Sequence, residues 1–306
     1  MKKLVFIVCL MIPFLLKAQD PPDLSSYQWN WLYFNPAFAG SYDALSGSMF
    51  VRNKFSGSGS SPYFEHLAIH TPLKNDKIGL GLALSSKQEG GLSNPFNSNF
   101  ELNLNYAYRI WIGGGRLSLG LKAGLESRRT DYSSVSLPDP DDPSFPVEVE
   151  TKTIPNFGAG ALYYNEKYFV ALSVPRFLSM PDSSNLPGHS FSDYTFFLSG
   201  GYTFNLGSNF KLMPTFFTYY NGWPVKNFMI SLNAGLFDEF IWTGVTWKSS
   251  NALSFMFDIQ VSNQLMIGYA ADFSLGAVSN LYSWSHELVL RWEYRKIIAA
   301  DSPFYY

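Results

Sequence analysis

The 306-residue chain carries a formal net charge of -2, with 24 acidic against 22 basic residues, so it lacks the basic excess of a nucleic-acid binder. Aromatic residues make up 18% and charged residues only 15%, against about 25% in ordinary soluble domains. Mean hydropathy is -0.03, too low for a polytopic helical membrane protein, and a disordered chain would lack the rings. This balance suits a chain in which lipid-facing and water-facing residues alternate.

Met1-Lys2-Lys3, the apolar run Leu4–Leu16 and Lys17-Ala18 form the pattern of a secretory signal peptide over residues 1–18. The run is too short to cross a bilayer. It contains Cys9, the only cysteine, so the exported chain must fold without disulfides.

Residues 19–42 show no strand pattern. Tyr27, Trp29, Trp31, Tyr33, Phe34 and Phe38 are too many rings for a free linker, and exposed they would form an aggregation-prone patch. The segment is therefore expected to be buried at the periplasmic end of the strand-bearing region, as a plug or as a docking surface. Asn35-Pro36 sets a fixed turn.

From residue 43 to 296 the hydrophobic residues alternate. Phe100, Leu102, Leu104, Tyr106, Tyr108 and Ile110 are interleaved with Glu101, Asn103, Asn105, Ala107 and Arg109; Leu117, Leu119 and Leu121 with Ser118, Gly120 and Lys122. Period two marks strands. They are expected at 43–54, 61–73, 76–87, 98–112, 115–129, 154–165, 167–176, 193–206, 209–221, 226–237, 239–249, 251–262, 264–273 and 284–295. Every second connection is tight, at Lys74-Asn75, Gly113-Gly114, Glu166, Gly207-Ser208, Asp238 and Asn263. Several of the others are long, above all Thr130–Thr153 with its prolines and acids. Such sorting is the habit of outer-membrane barrels, with the long loops outside. The expected fold is all-β: one antiparallel transmembrane β-barrel of about 14 strands, with both termini and a 297–306 tail in the periplasm. By the pleat, Leu119 and Leu121 face lipid. Gly120 faces the lumen and should tolerate a small side chain unless the lumen is packed.

No motif for catalysis stands out: there is no Gly-x-Ser-x-Gly elbow and no phosphate loop. His66 and His70 share a strand face but lie roughly 13 Å apart at 3.4 Å per residue, too far for two ligands of one metal. No metal or cofactor is expected. Glu101, Arg109, Arg116, Lys122, Glu126, Asp258, Asp272, Glu287, Arg291 and Glu293 face the lumen. Their mixed signs fit a salt-bridged or water-filled interior better than a charge-selective pore.

The stretch Tyr27-x-x-Asn30-x-Leu32-Tyr33-x-Asn35-Pro36-Ala37-x-Ala39-Gly40-Ser41 resembles the opening of the PorP/SprF family, membrane proteins of the Bacteroidetes type IX secretion system. Arg52-Asn53, Gly79-Leu80-Gly81, Tyr106-Ala107-Tyr108, Gly268-Tyr269-x-x-Asp272 and Ser285-His286-Glu287-Leu288 come after it in the family's order. Trp31, Phe55 and Trp284 depart from its usual residues and mark a divergent paralogue. The resemblance implies an outer-membrane component of type IX secretion or gliding machinery. Its partners would be a periplasmic ring and lipoprotein assembly, or the C-terminal domains of secreted adhesins. It makes Tyr27, Asn30, Leu32, Tyr33, Asn35, Pro36, Ala37, Ala39, Gly40, Arg52, Ser285, His286 and Glu287 the candidate docking residues. The alternative is a channel for a hydrophobic or small solute, which needs a continuous path through the lumen.

Overall fold

A computed structural model of the chain describes residues 24–42, 44–54, 61–73, 76–90, 96–131, 133, 149–178, 194–207, 209–220, 227–275 and 284–294. The expected signal peptide at 1–18, the expected tail at 297–306 and most of the expected Thr130–Thr153 loop lie outside the described residues, as do Lys74-Asn75 and Phe55. The strands are β1 Leu45–Asn53, β2 Tyr63–Pro72, β3 Ile78–Glu89, β4 Asn97–Ile112, β5 Gly115–Thr130, β6 Glu150–Tyr164 and β7 Tyr168–Val174. They continue as β8 Phe196–Tyr202, resumed at Phe204–Asn205, then β9 Phe210–Tyr220, β10 Asn227–Leu236, β11 Ile241–Lys248, β12 Ala252–Ser262, β13 Leu265–Ser274 and β14 Trp284–Tyr294. Each pairs antiparallel with its neighbour in sequence, and β14 returns to β1 from Leu45↔Tyr294 to Asn53↔His286. The result is a closed barrel of fourteen strands. Closure leaves no sheet edge along this seam, the condition for β-structure in lipid. Among the described residues no helix is long and apolar enough to cross a membrane.

The pleat sorts the two faces. Leu102, Leu104, Leu119, Leu121, Leu125, Phe255 and Phe257 are exposed on the outer wall. Glu101, Asn103, Asn105, Lys122, Glu126, Ser254 and Asp258 are buried on the inner one. Rings gather near both rims of the outer face, with Tyr168 against Tyr202 at the short-turn end and Phe273 against Trp284 at the long-loop end. Such girdles suit the two membrane interfaces.

Strand β9 departs from the polar-inside rule. Phe216 points out, while Met213, Phe217 and Tyr219 are buried on the inner side with Phe169 of β7 and Phe197 of β8. Both faces of this part of the wall are apolar because lipid lies outside and rings from residues 24–42 lie inside.

Candidate functional site

The lumen is occupied by the chain's own N-terminal segment. Short helical turns at Tyr27–Trp29, Trp31–Phe34 and Pro36–Phe38 carry it across the barrel, and almost every residue from Leu24 to Tyr42 is buried. Its path can be followed by what it touches.

At the long-loop end the backbone N–H groups of Ser25 and Ser26 both donate to the Glu287 carboxylate, each at 2.8 Å. Arg52 pairs across the seam with Glu287, and with Asp272 at 2.7 Å. Lys248 donates to Asp272 at 2.9 Å, and Ser25 also reaches Asp272 through its hydroxyl. Arg52, Asp272 and Glu287 come from three separate family-like motifs, so the fold brings these pieces into one ion network. Each charge in it is nearly fully buried and is met by an opposite charge, as a dry interior demands.

The segment then descends. Trp29 lies under the Arg291 guanidinium at 4.7 Å, and Tyr42, near the segment's far end, lies 5.5 Å from the same group. Tyr27 projects to β9 and β10, where its hydroxyl bonds Thr215 at 2.7 Å and Ser231 at 2.9 Å. Burial pushes its phenol up to about 12, although both hydrogen bonds work against the rise. Trp31 stacks on Phe38 and meets Phe169 edge-on, while Phe34 packs against Phe217 at 4.7 Å. The departure at Trp31 therefore fills the centre of this aromatic core.

Toward the short-turn end the grip changes character. Asn35 accepts from Ala37 N–H and donates to the carbonyls of Ala161 and Leu172, both at 3.2 Å. Ser173 donates to the Phe34 carbonyl and Ser118 to the Ala37 carbonyl, both at 2.7 Å. Beneath these bonds the wall is floored by glycine. A Cβ on Gly79 would run into the Ala39 carbonyl, one on Gly120 into the Ala37 backbone, and one on Gly160 into the Asn35 amide. The lumen is packed at Gly120, so even a small side chain has no room there.

Gly40 turns the chain with φ of +68° and sits against Thr71 and Pro72, a site no Cβ fits. Its N–H donates to His70 Nδ1 at 3.1 Å, and its carbonyl accepts from Arg109 at 2.8 Å. Arg109 and Arg116 share Asp76 of the β2–β3 turn, at 3.0 and 3.2 Å. A second charge cluster lies higher on the same wall, where Arg176, just past β7, pairs with Glu101 and with Glu126 at 3.1 Å.

All the expected lumen charges are thus buried on the inner face: Glu101, Arg109, Arg116, Lys122, Glu126, Asp258, Asp272, Glu287, Arg291 and Glu293. Of the candidate docking residues, Tyr27, Asn30, Leu32, Asn35, Pro36, Ala37, Ala39, Gly40, Arg52, Ser285 and Glu287 are buried inside, and Tyr33 packs on His66. His286 instead faces outward near the long-loop rim, bonded to the Tyr269 hydroxyl at 2.7 Å. The segment itself extends beyond the short-turn end expected from sequence, and Ser25 reaches the opposite half of the lumen. Ser25, Ser26, Ser118, Ser173, Lys248, Arg176 and Asp76 were not anticipated. Small residues at inward positions of β3, β5 and β6 were the available signal, because a strand-interior glycine often marks a close backbone approach. Among the described residues no group of three or more His, Cys, Asp or Glu could hold a metal ion.

The family model described as "Type IX secretion system membrane protein PorP/SprF" matches residues 16–292. No curated protein matches the chain. Among solved structures, it is similar to the outer membrane protein Omp33 of Acinetobacter baumannii, at 7% identity and a TM-score of 0.47, over 82% of this chain and 99% of that one. It is also similar to a triple mutant of the Rhodopseudomonas blastica porin, at 11% identity and a TM-score of 0.34, with the same coverage.

Proposed function

The chain belongs to the PorP/SprF family of type IX secretion system membrane proteins, and from that premise we propose that it is a non-enzymatic outer-membrane barrel that helps export secreted proteins such as adhesins, or attach them to the cell surface. One observation carries this reading: residues 24–42 pack the lumen from the Glu287 carboxylate to the Arg109 guanidinium. A solute channel needs a continuous path, and here that path is crossed by buried rings. The lumen charges supply no field of one sign, because Arg52, Lys248 and Arg176 meet Asp272, Glu287, Glu101 and Glu126 in mixed clusters. An attachment barrel does not need an open lumen; it needs a stable wall and two rims.

In this reading the short turns face the periplasm and the long loops face outside. The closed short-turn end serves components of the secretion machinery, and the long-loop end serves the C-terminal domains of secreted proteins. The test is co-purification of the tagged barrel from native membranes, paired with conductance of the reconstituted protein in planar bilayers. A secretion component or secreted adhesin should come down with the barrel, and conductance should be small. Steady solute flux with no bound protein would establish the channel instead.

A further inference from the structure

Most glycines of the described wall and turns have a reason within the chain. Gly40, Gly90, Gly113, Gly114 and Gly207 adopt positive φ, and the other strand glycines, Gly47 apart, are pressed by backbone, a ring or another side chain. Gly47 of β1 has neither reason. The nearest atoms to a Cβ there would be the Ala68 carbonyl oxygen and the Trp292 ring, both at 3.8 Å, which is ordinary contact. A glycine inside a strand forfeits side-chain packing and costs chain entropy, and where it is not a bulge it commonly marks close approach by a ligand or another backbone.

Gly47 points to the outer face, between Trp292 of β14 and Ile69 of β2 in the ladder. There the wall has an open depression of about 350 Å³ bounded by Met49, Leu67, Ile69, Leu290 and Trp292. No charged residue lines it, and its walls are almost wholly hydrocarbon. It lies across the β14–β1 seam, two residues in from the short-turn end of β1.

We propose that this groove seats an acyl chain of a membrane phospholipid, held at a fixed place on the wall. The belt is already in contact with lipid, and a straight apolar chain supplies the dispersion partners that Leu67, Leu290 and Trp292 otherwise lack over the glycine. A protein partner fits less well. Stable protein interfaces bury roughly 800 Å² a side and carry a polar rim, and this groove, whose lining includes Ser48 but no charged residue, exposes almost no polar surface with which to specify a protein.

The test is native mass spectrometry of the full-length barrel purified from its membrane in mild detergent, comparing the parent with Gly47→Ala, Gly47→Leu and Val245→Leu. Val245 is exposed on β11, three strands from β14 and outside the groove, and serves as the control. Heat-modified gel mobility establishes that each variant is folded. The parent and Val245→Leu should retain a phospholipid that Gly47→Ala holds less well and Gly47→Leu loses. Equal retention by folded Gly47→Leu overturns the proposal, as does a parent that retains no phospholipid. A co-purifying protein, or a second copy of the barrel, lost from Gly47→Leu in place of the lipid also overturns it and gives the groove to that partner.

Discussion

The N-terminal segment is held in two different ways at its two ends. Near β11–β14 and β1 it is held by charge: Glu287 takes two backbone N–H groups while Arg52 and Lys248 balance the carboxylates. Near β3–β6 it is held by shape, with its backbone lying directly on Gly79 and Gly120 and the Asn35 side chain on Gly160. A charge grip can be exchanged for an apolar one of similar volume, whereas a shape grip has no substitute. The difference therefore predicts which end tolerates redesign.

The largest effect should come from Glu287→Ala. It leaves Arg52 and Lys248 to share Asp272 alone, a buried excess of positive charge, and leaves the N–H groups of Ser25 and Ser26 unmet; breaking a buried pair this way costs about 3–5 kcal/mol. Urea unfolding of the barrel in detergent would read the loss. The double variant Arg52→Met with Glu287→Leu should recover the part due to the unbalanced charge, since it leaves only the Lys248–Asp272 pair, while the N–H groups of Ser25 and Ser26 stay unmet in both variants. A double variant as unstable as the single one would show that the charges hold the segment by more than mutual compensation.

Leu119→Arg should come next, at roughly 2–4 kcal/mol if it lies near the bilayer midplane. Its neighbour Gly120→Ala acts from the other side of the same wall, where its Cβ meets the Ala37 backbone. Overpacking of this kind costs about 1–3 kcal/mol. The two can be separated by quenching of tryptophan fluorescence. Gly120→Ala should displace the segment and make Trp29 and Trp31 accessible to iodide, whereas Leu119→Arg should leave them shielded. Shielded tryptophans in Gly120→Ala would mean that the glycine floor is not what seats the segment.

These residues also mark how far the sequence could be read. Leu119 and Gly120 were assigned to opposite faces from alternation alone, because a wall between lipid and a polar lumen imposes period two on its residues. The strand number and the sorting of turns came from the same signal. It weakens at β9, where Phe216 and Phe217 are apolar on both faces. Arg52, Asp272 and Glu287 stood out as fragments of motifs, but nothing local says that they meet, since Arg52 and Glu287 are 235 positions apart. The route of residues 24–42 was hidden for the same reason: Ser25 binds a residue 262 positions away. Period two did not distinguish a glycine that floors a plug from one that only lightens a strand.

The smallest effects test whether the shape-held end behaves as one body. Ser118 and Ser173 each donate a single hydrogen bond, to the Ala37 and Phe34 carbonyls, from different strands. Replacing either by Ala should cost about 1 kcal/mol, the net worth of one such bond. The two hydroxyls touch different residues of the segment, so independent contacts would add within about 0.5 kcal/mol. The segment between them is not compliant, however. Asn35 is tied to Ala161 and Leu172, and Pro36 fixes the backbone that leads to Ala37. Loss of one bond should then loosen the other, and the double variant should cost less than the sum of the singles. Asn35→Ala should remove that coupling, because the tie that transmits it is gone. Strict additivity in both backgrounds would mean that each hydroxyl grips its own carbonyl alone, and that the shape-held end is a row of separate contacts on the glycine floor.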